Sequence, residues 1–216
     1  VLVDSRPGIG SCIAQTLAER AYPGVSDARI ERMIGPPLAI GFAELLEEFG
    51  GDSSDTAACV RRFRELYAER AVGGTRLQAG IAQALDALAS RAVLAVATSK
   101  PMRFTEPILA ALGIAGYFAA VSGPTPQTDG ESKAATLRRA MRTLAAGAAT
   151  TFDRSNAAMI GDRHFDIAAA LELGIMPIGV TWGFGSADEL RDAGAAHVID
   201  SPSELVSTIF GANTHW

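Results

Sequence analysis

The run Ala157-Ala158-Met159-Ile160-Gly161-Asp162-Arg163-His164-Phe165-Asp166 constrains the fold of this chain more than any other stretch. The apolar residues Ala157 to Ile160 lead straight into Gly161 and two carboxylates, Asp162 and Asp166. Ile167 to Leu173 then carry a helical pattern that stops at Gly174. A buried strand that ends in glycine and opens into a helix sets its polar residues at the carboxyl edge of a parallel sheet. Glycine allows a tight turn there, so Asp162 is expected at the strand tip and Asp166, four residues on, near the same mouth. Two acids on such a rim suit a hard cation such as Mg²⁺, which takes one or two carboxylates and keeps several waters. The competing explanation is a helix start that favours acids for its dipole alone.

The rest of the chain falls into two patterns. From about residue 5 to residue 74 only helices and turns are expected. Asp4 or Ser5 caps a helix shaped by Pro7, Ser26 to Met33 forms a second, and Gly35-Pro36-Pro37 interrupts the chain. Phe42, Leu45, Leu46 and Phe49 stripe a third helix, and Ser54 to Val72 a fourth. Gly73-Gly74 and the segment from Asp4 to Pro7 are candidate hinges between this helical domain (5–74) and the remainder (75–216).

After residue 75 strands alternate with helices. A helix over Leu77 to Leu88, a strand over Val93 to Ala97, and a helix from Pro101 to Gly113 come first. They are followed by a strand over Phe118 to Ser122, a helix from Lys133 to Leu144, and a strand over Ile178 to Thr181. Ser186 with Glu189, and Ser201 with Glu204, read as capping boxes. Such alternation specifies an α/β class, a doubly wound parallel sheet with helices on its faces.

Three polar groups sit at strand ends or helix starts of that core: Thr98-Ser99, Lys133, and Asp162 with Asp166. Together they can grip a phosphoryl group. The hydroxyl and nearby amides take its oxygens, the ammonium offsets charge, and a metal on the carboxylate bridges to it. Singly, each has an ordinary explanation: Thr98 and Ser99 as a helix cap, Lys133 as a solvated helix residue. His164 reads as a surface residue, His197 as packed in an apolar strand, and Trp182 and Phe184 as packing or loop anchors. Gly183-Phe184-Gly185 lacks the third glycine of a dinucleotide fingerprint.

Composition narrows the partners. A net charge of -5 argues against a nucleic-acid or membrane surface as the main partner. No apolar stretch is long enough to span a bilayer. Cys12 and Cys59 lack metal or redox spacing and are expected as buried thiols in a cytoplasmic protein.

The order hydroxyl, lysine, paired acids resembles the haloacid dehalogenase superfamily of phosphatases over essentially the whole chain. Val96-Ala97-Thr98-Ser99-Lys100-Pro101 looks like the second motif of that family, with Thr98 binding phosphate. Lys133, in Asp129-Gly130-Glu131-Ser132-Lys133, looks like the third-motif lysine. Gly161 to Asp166 looks like the fourth, with Asp162 on Mg²⁺ and Asp166 supporting it. The helices before residue 75 are similar to the cap of the phosphoglycolate phosphatase-like branch, and Ile34 to Leu38 and Gly179 to Gly185 to the 5′-nucleotidase-like subgroup. The resemblance implies a Rossmann-like core and hydrolysis of a small phosphorylated metabolite through an aspartyl-phosphate.

The family's first motif, a strand ending in Asp-x-Asp-Gly-Thr, has no counterpart in the sequence. By this alignment Asp4, in Leu2-Val3-Asp4-Ser5, is a later, helix-capping aspartate. The nucleophile and first core strand are then absent and the chain is expected to be inactive. A rival alignment makes Val1 to Asp4 that strand and Asp4 the nucleophile, with Arg6 in place of the second aspartate. A catalytically silent binding protein and a phosphotransferase to another acceptor are the alternatives.

Overall fold

The computed structural model describes residues 1–34, 38–128, 130–147 and 153–211. The chain divides into two compact units, Val3–Arg76 and Val1–Leu2 with Leu77–Trp216. The interruption at Gly35-Pro36-Pro37, and Asp129 of the lysine motif, lie outside the described residues.

The first unit is helical apart from β1 (Val3–Asp4) and the strand β2 (Arg76–Leu77) that pairs with it. Its helices are α1 (Arg6–Ala18), α2 (Asp27–Met33), α3 (Leu38–Glu48) and α4 (Thr56–Arg70). The carboxylate of Asp4 accepts a hydrogen bond from the Arg6 amide at 3.0 Å, satisfying a donor at the start of α1. Helical spacing turns Ile13, Leu17, Phe42, Leu45, Leu46 and Leu66 inward, where all are buried. Phe42 and Phe63 meet edge to face with ring centroids 6.1 Å apart. Cys12 and Cys59 are buried free thiols, and burial pushes both up from the ordinary thiol range. The expected Gly73-Gly74 hinge is tied down within this unit: the Gly8 amide donates to the Gly74 carbonyl at 3.0 Å.

The second unit holds two parallel sheets. One pairs β3 (Leu94–Ala97) with β4 (Phe118–Ser122); the other runs β5 (Ala158–Gly161), β6 (Met176–Val180), β7 (His197–Ile199). Helices cover both faces. Leu137 and Met141 of α7 (Lys133–Gly147) pack with Ala170 and Leu173 of α8 (His164–Leu173) against Met159, with Ala97 beside them. On the other face α5 (Ile81–Ala89) and α10 (Leu205–Phe210) cover Ile178, Val180 and Ile199, with Leu94, Ala158 and Ile160 alongside. Ile178 and Val180 are fully buried, each contributing about 1.5–3 kcal/mol in hydrophobic transfer. Two further helices of the unit are α6 (Met102–Ala111) and α9 (Ala187–Asp192).

Residues of β3 and β5 contribute to both clusters, so a common core joins the two sheets, yet the two strands do not pair with each other. The doubly wound parallel core is therefore present with a seam through its middle. Of the Val1 to Asp4 stretch that the rival alignment makes the first core strand, Val3–Asp4 form β1, which pairs with β2 and not with β3 or β5.

Three details differ from expectation. Leu77 is in β2, not at a helix start, because its neighbour Gln78 donates its amide to the Leu2 carbonyl and the helix begins only at Ile81. The strand expected at Ile178 begins two residues earlier, since Ala158 registers with Met176 along the whole of β5. His197 is exposed at the start of β7 where packing was expected.

Candidate functional site

Gly161 ends β5, and the chain turns into α8 over Asp162 and Arg163. A side chain at 161 would place its Cβ 2.1 Å from that of Asp166, so only glycine lets the Asp166 carboxylate lie beneath the turn. There Asp166 Oδ2 accepts from the amides of Asp162 and Arg163, each at 3.2 Å. The other oxygen, Oδ1, is 2.8 Å from Lys133 Nζ. Both side chains of this pair are nearly buried, at 13% and 9% exposure, so the charges depend on one another and on their hydrogen bonds.

Lys133 opens α7, and its ammonium also donates to the Ala97 carbonyl at 2.8 Å. Ala97 is the last residue of β3, so the lysine reaches the Thr98 turn and the Asp162–Asp166 turn at once. Thr98 is fixed by its amide, which donates to the Ser122 carbonyl at 2.9 Å. Its Oγ1 accepts from the Lys100 amide at 3.0 Å, which leaves the hydroxyl proton to be donated outward. Ser99, next in the turn, is exposed. Thr98, Lys133, Asp162 and Asp166 thus lie together at the carboxyl ends of β3 and β5.

Asp162 Oδ2 accepts from the Phe184 amide at 2.9 Å. The loop carrying Phe184 wraps the carboxylate closely: a Cβ at Gly183 would lie 2.2 Å from that same oxygen. Phe184 itself is 42% exposed and is no packing anchor, whereas Trp182 packs on the core and donates from Nε1 to the Val1 carbonyl.

Asp162 Oδ1 is the one oxygen of the two carboxylates without a hydrogen bond among the described residues. No cluster of three His, Cys, Asp or Glu residues occurs among them. This donor set fits Mg²⁺ shared between one carboxylate, a phosphate and water, not a closed protein cage. Asp166, grouped with Asp162 as a metal ligand on sequence grounds, has both oxygens engaged; in this arrangement it orients Lys133 and the Asp162 turn.

Sequence reasoning missed two contributors. Glu189 was read as the distal half of a capping box, and Ser186 Oγ does accept from its amide at 3.1 Å. Its carboxylate, however, crosses to the Asp162 turn. There Oε1 takes Arg163 Nε at 3.0 Å, the His164 amide at 3.0 Å and His164 Nδ1 at 2.6 Å. Burial pushes the Glu189 carboxyl up, but the His164 amide and ring and the Arg163 guanidinium outweigh it and bring it to about 2. His164 is thus a held residue, not a free surface one. The second omission is Arg139, whose guanidinium pairs with Glu131 just before Lys133. The Ser-x-x-Glu spacing hinted at Glu189; no sequence signal marked Arg139. Asp4, in contrast, is spent locally: Arg6 donates to its two oxygens from Nε at 2.8 Å and Nη2 at 3.1 Å. Those bonds hold the Asp4 carboxyl below the usual range.

A family model described as haloacid dehalogenase-like hydrolase matches residues 1–180. A 5′-nucleotidase of Pseudomonas aeruginosa is 32% identical over 191 residues, covering 88% of this chain and 82% of that protein. A phosphoglycolate phosphatase of Pectobacterium atrosepticum is 28% identical over 219 residues, covering 99% and 90%. Among solved structures, a haloacid dehalogenase-like family hydrolase from Streptococcus pneumoniae superposes with a TM-score of 0.81 at 27% identity, covering 96% and 92%.

Proposed function

Because the chain belongs to the haloacid dehalogenase-like hydrolases, we propose that it is the scaffold of a Mg²⁺-dependent cytoplasmic phosphatase. Its substrate in this reading is a small phosphate monoester of the phosphoglycolate or nucleotide type, the classes named for the relatives above. The observation that carries the reading is the Lys133 ammonium, held between the Ala97 carbonyl and Asp166 at the mouth where Thr98 and Asp162 also lie.

Each residue has a physical task. Thr98 donates its hydroxyl proton to a phosphoryl oxygen, with the Ser99 amide beside it. Lys133 has three protons; two serve Ala97 and Asp166, and the third offsets charge on the transferring group. Asp162 offers Oδ1 to the metal, which when bound supplies charge neutralisation to the phosphate. Phosphoryl transfer is governed by such positioning and electrostatics.

The attacking carboxylate belongs, in this reading, to a further strand seated between β3 and β5, on a segment upstream of Val1. The 216-residue chain alone is then inactive. Two features support this: the unpaired facing edges of β3 and β5, and the engagement of Asp4 by Arg6. Hydrolysis of p-nitrophenyl phosphate, measured for this chain and for one extended by its upstream reading frame, tests it. The extended chain should turn over and lose activity with Asp162→Asn. Robust turnover by the 216-residue chain that survives Asp4→Asn would overturn the account of the nucleophile, and an inactive extended chain that binds phosphate would favour the silent binding protein.

A further inference from the structure

We propose that Arg139 is a positioning residue of this phosphate site, holding the Thr98 turn and the start of the Lys133 helix in fixed relation. The proposal rests on the phosphatase reading above. Arg139 lies within α7, and its guanidinium touches two separate pieces of chain, the end of β4 at Ser122–Gly123 and Glu131 ahead of α7. Nε donates to Ser122 Oγ at 2.9 Å, and Nη2 donates to the Gly123 carbonyl at 2.8 Å. Nη1 and Nη2 also meet the two oxygens of Glu131 at 2.7 and 2.5 Å.

Each contact leads to an anion-binding group. Ser122 is the buried last residue of β4, and its carbonyl is the acceptor for the Thr98 amide. Gly123 lies against the same turn: a Cβ there would be 3.0 Å from Thr98 Cγ2 and 2.7 Å from the Lys100 carbonyl. Glu131 stands two residues before Lys133, and its carboxylate also accepts from Thr136 Oγ1 at 2.8 Å, which fixes it to the first turn of α7.

The segment from Gly123 to Ser132 joins β4 to α7 without a helix or strand among its described residues; its backbone is held by the Met102 amide on the Pro124 carbonyl and by turn bonds from the Thr128 and Glu131 amides, none of which reaches Thr98 or Lys133. The planar fork of one arginine can satisfy a carboxylate and a carbonyl together, and no other side chain matches that geometry. Removing it would leave Ser122 Oγ and the Gly123 carbonyl without this donor and the Glu131 carboxylate without its cation, held by Thr136 alone on the α7 side. Thr98 and Lys133 would then lose their common reference. The adjacent Arg138 supplies a control, because among the described residues its ion pair is with exposed Glu172 on α8, at 2.8 Å.

The test is a calorimetric titration of inorganic phosphate into the full chain in Mg²⁺-containing buffer, with thermal melting run alongside. Arg139→Ala should weaken phosphate binding roughly tenfold, the effect of one misplaced charge-assisted hydrogen bond. Arg139→Lys should recover part of the loss, and Arg138→Ala should bind as the parent does. Glu131→Gln keeps the shape and should give a smaller weakening; it carries the test if Arg139→Ala does not fold. Phosphate binding within twofold of the parent in Arg139→Ala, or in Glu131→Gln where that variant stands in, overturns the proposal, provided Thr98→Val and Lys133→Ala do lose phosphate. If those two variants also bind normally, or the parent does not bind, the phosphatase reading falls with it.

Discussion

In the helical unit the Arg29 side chain, 9% exposed, reaches Glu44 and Glu48, whose own side chains are 59% and 53% exposed. In the α/β unit the Lys133 side chain, 13% exposed, reaches Asp166, 9% exposed, and a strand-end carbonyl. Both cations are withdrawn from water, but the first faces carboxylates that water still solvates. Its burial follows from helix packing, with the aliphatic stem covering apolar surface. The second faces a carboxylate that has no other cation among the described residues and is fixed by two amides. A structural ion pair keeps at least one partner wet; this one hides both and spans two elements at a sheet edge, where ligand groups collect.

The sharpest way to break that contrast is to remove each cation. Lys133→Met should destabilise the chain by about 3–5 kcal/mol in urea denaturation, because Asp166 is left buried and uncompensated. Adding Asp166→Asn in the same chain should restore much of the loss. A Lys133→Met variant as stable as the parent would reduce the pair to a surface contact.

A smaller effect should come from pH at the third carboxylate of the region, Glu189. Its ordinary value is 4.5 and the folded chain holds it at about 2, so folding favours its charged form. Its contribution is complete above 4.5 and is lost as pH falls toward about 2. Stability of the parent and of Glu189→Gln, compared across that window, should converge at the acid end; a constant gap would show that Glu189 does not titrate as described.

Least should follow from Arg29→Met, about 1 kcal/mol or less, since Glu44 and Glu48 remain hydrated and the stem volume is kept. A loss as large as that of Lys133→Met would erase the distinction between the two cations.

What could be read from the sequence was what is local. The strand, glycine, acid and helix of residues 158–173 follow one another in the chain, so periodicity and the need for a tight turn suffice to place Asp162 and Asp166. Lys133 was legible as a helix start beyond a loop, but not its contact with Ala97, which is 36 residues away in the chain. Glu189 reaches back 25 residues to His164, past a capping motif that accounted for it already. Arg139 looked like one of several arginines on a helix. Nothing in residue type separates Arg139 from Arg138; only the path of the β4–α7 loop does. The tie between Gly8 and Gly74 was not legible, because backbone hydrogen bonds leave no compositional trace.

The Lys133–Asp166 contact has a consequence for how ligands can arrive. Asp162 adds a second carboxylate at the same mouth, so two acids face one ammonium there, and an incoming dianion meets a surface of its own sign. The lysine cannot correct this by itself, since Asp166 already draws on its charge. On the proposed reading, a divalent ion held by Asp162 would reverse the local balance, and a phosphate would supply such an ion with oxygens the protein does not. Cation and anion would then be co-ligands, each completing the other's berth.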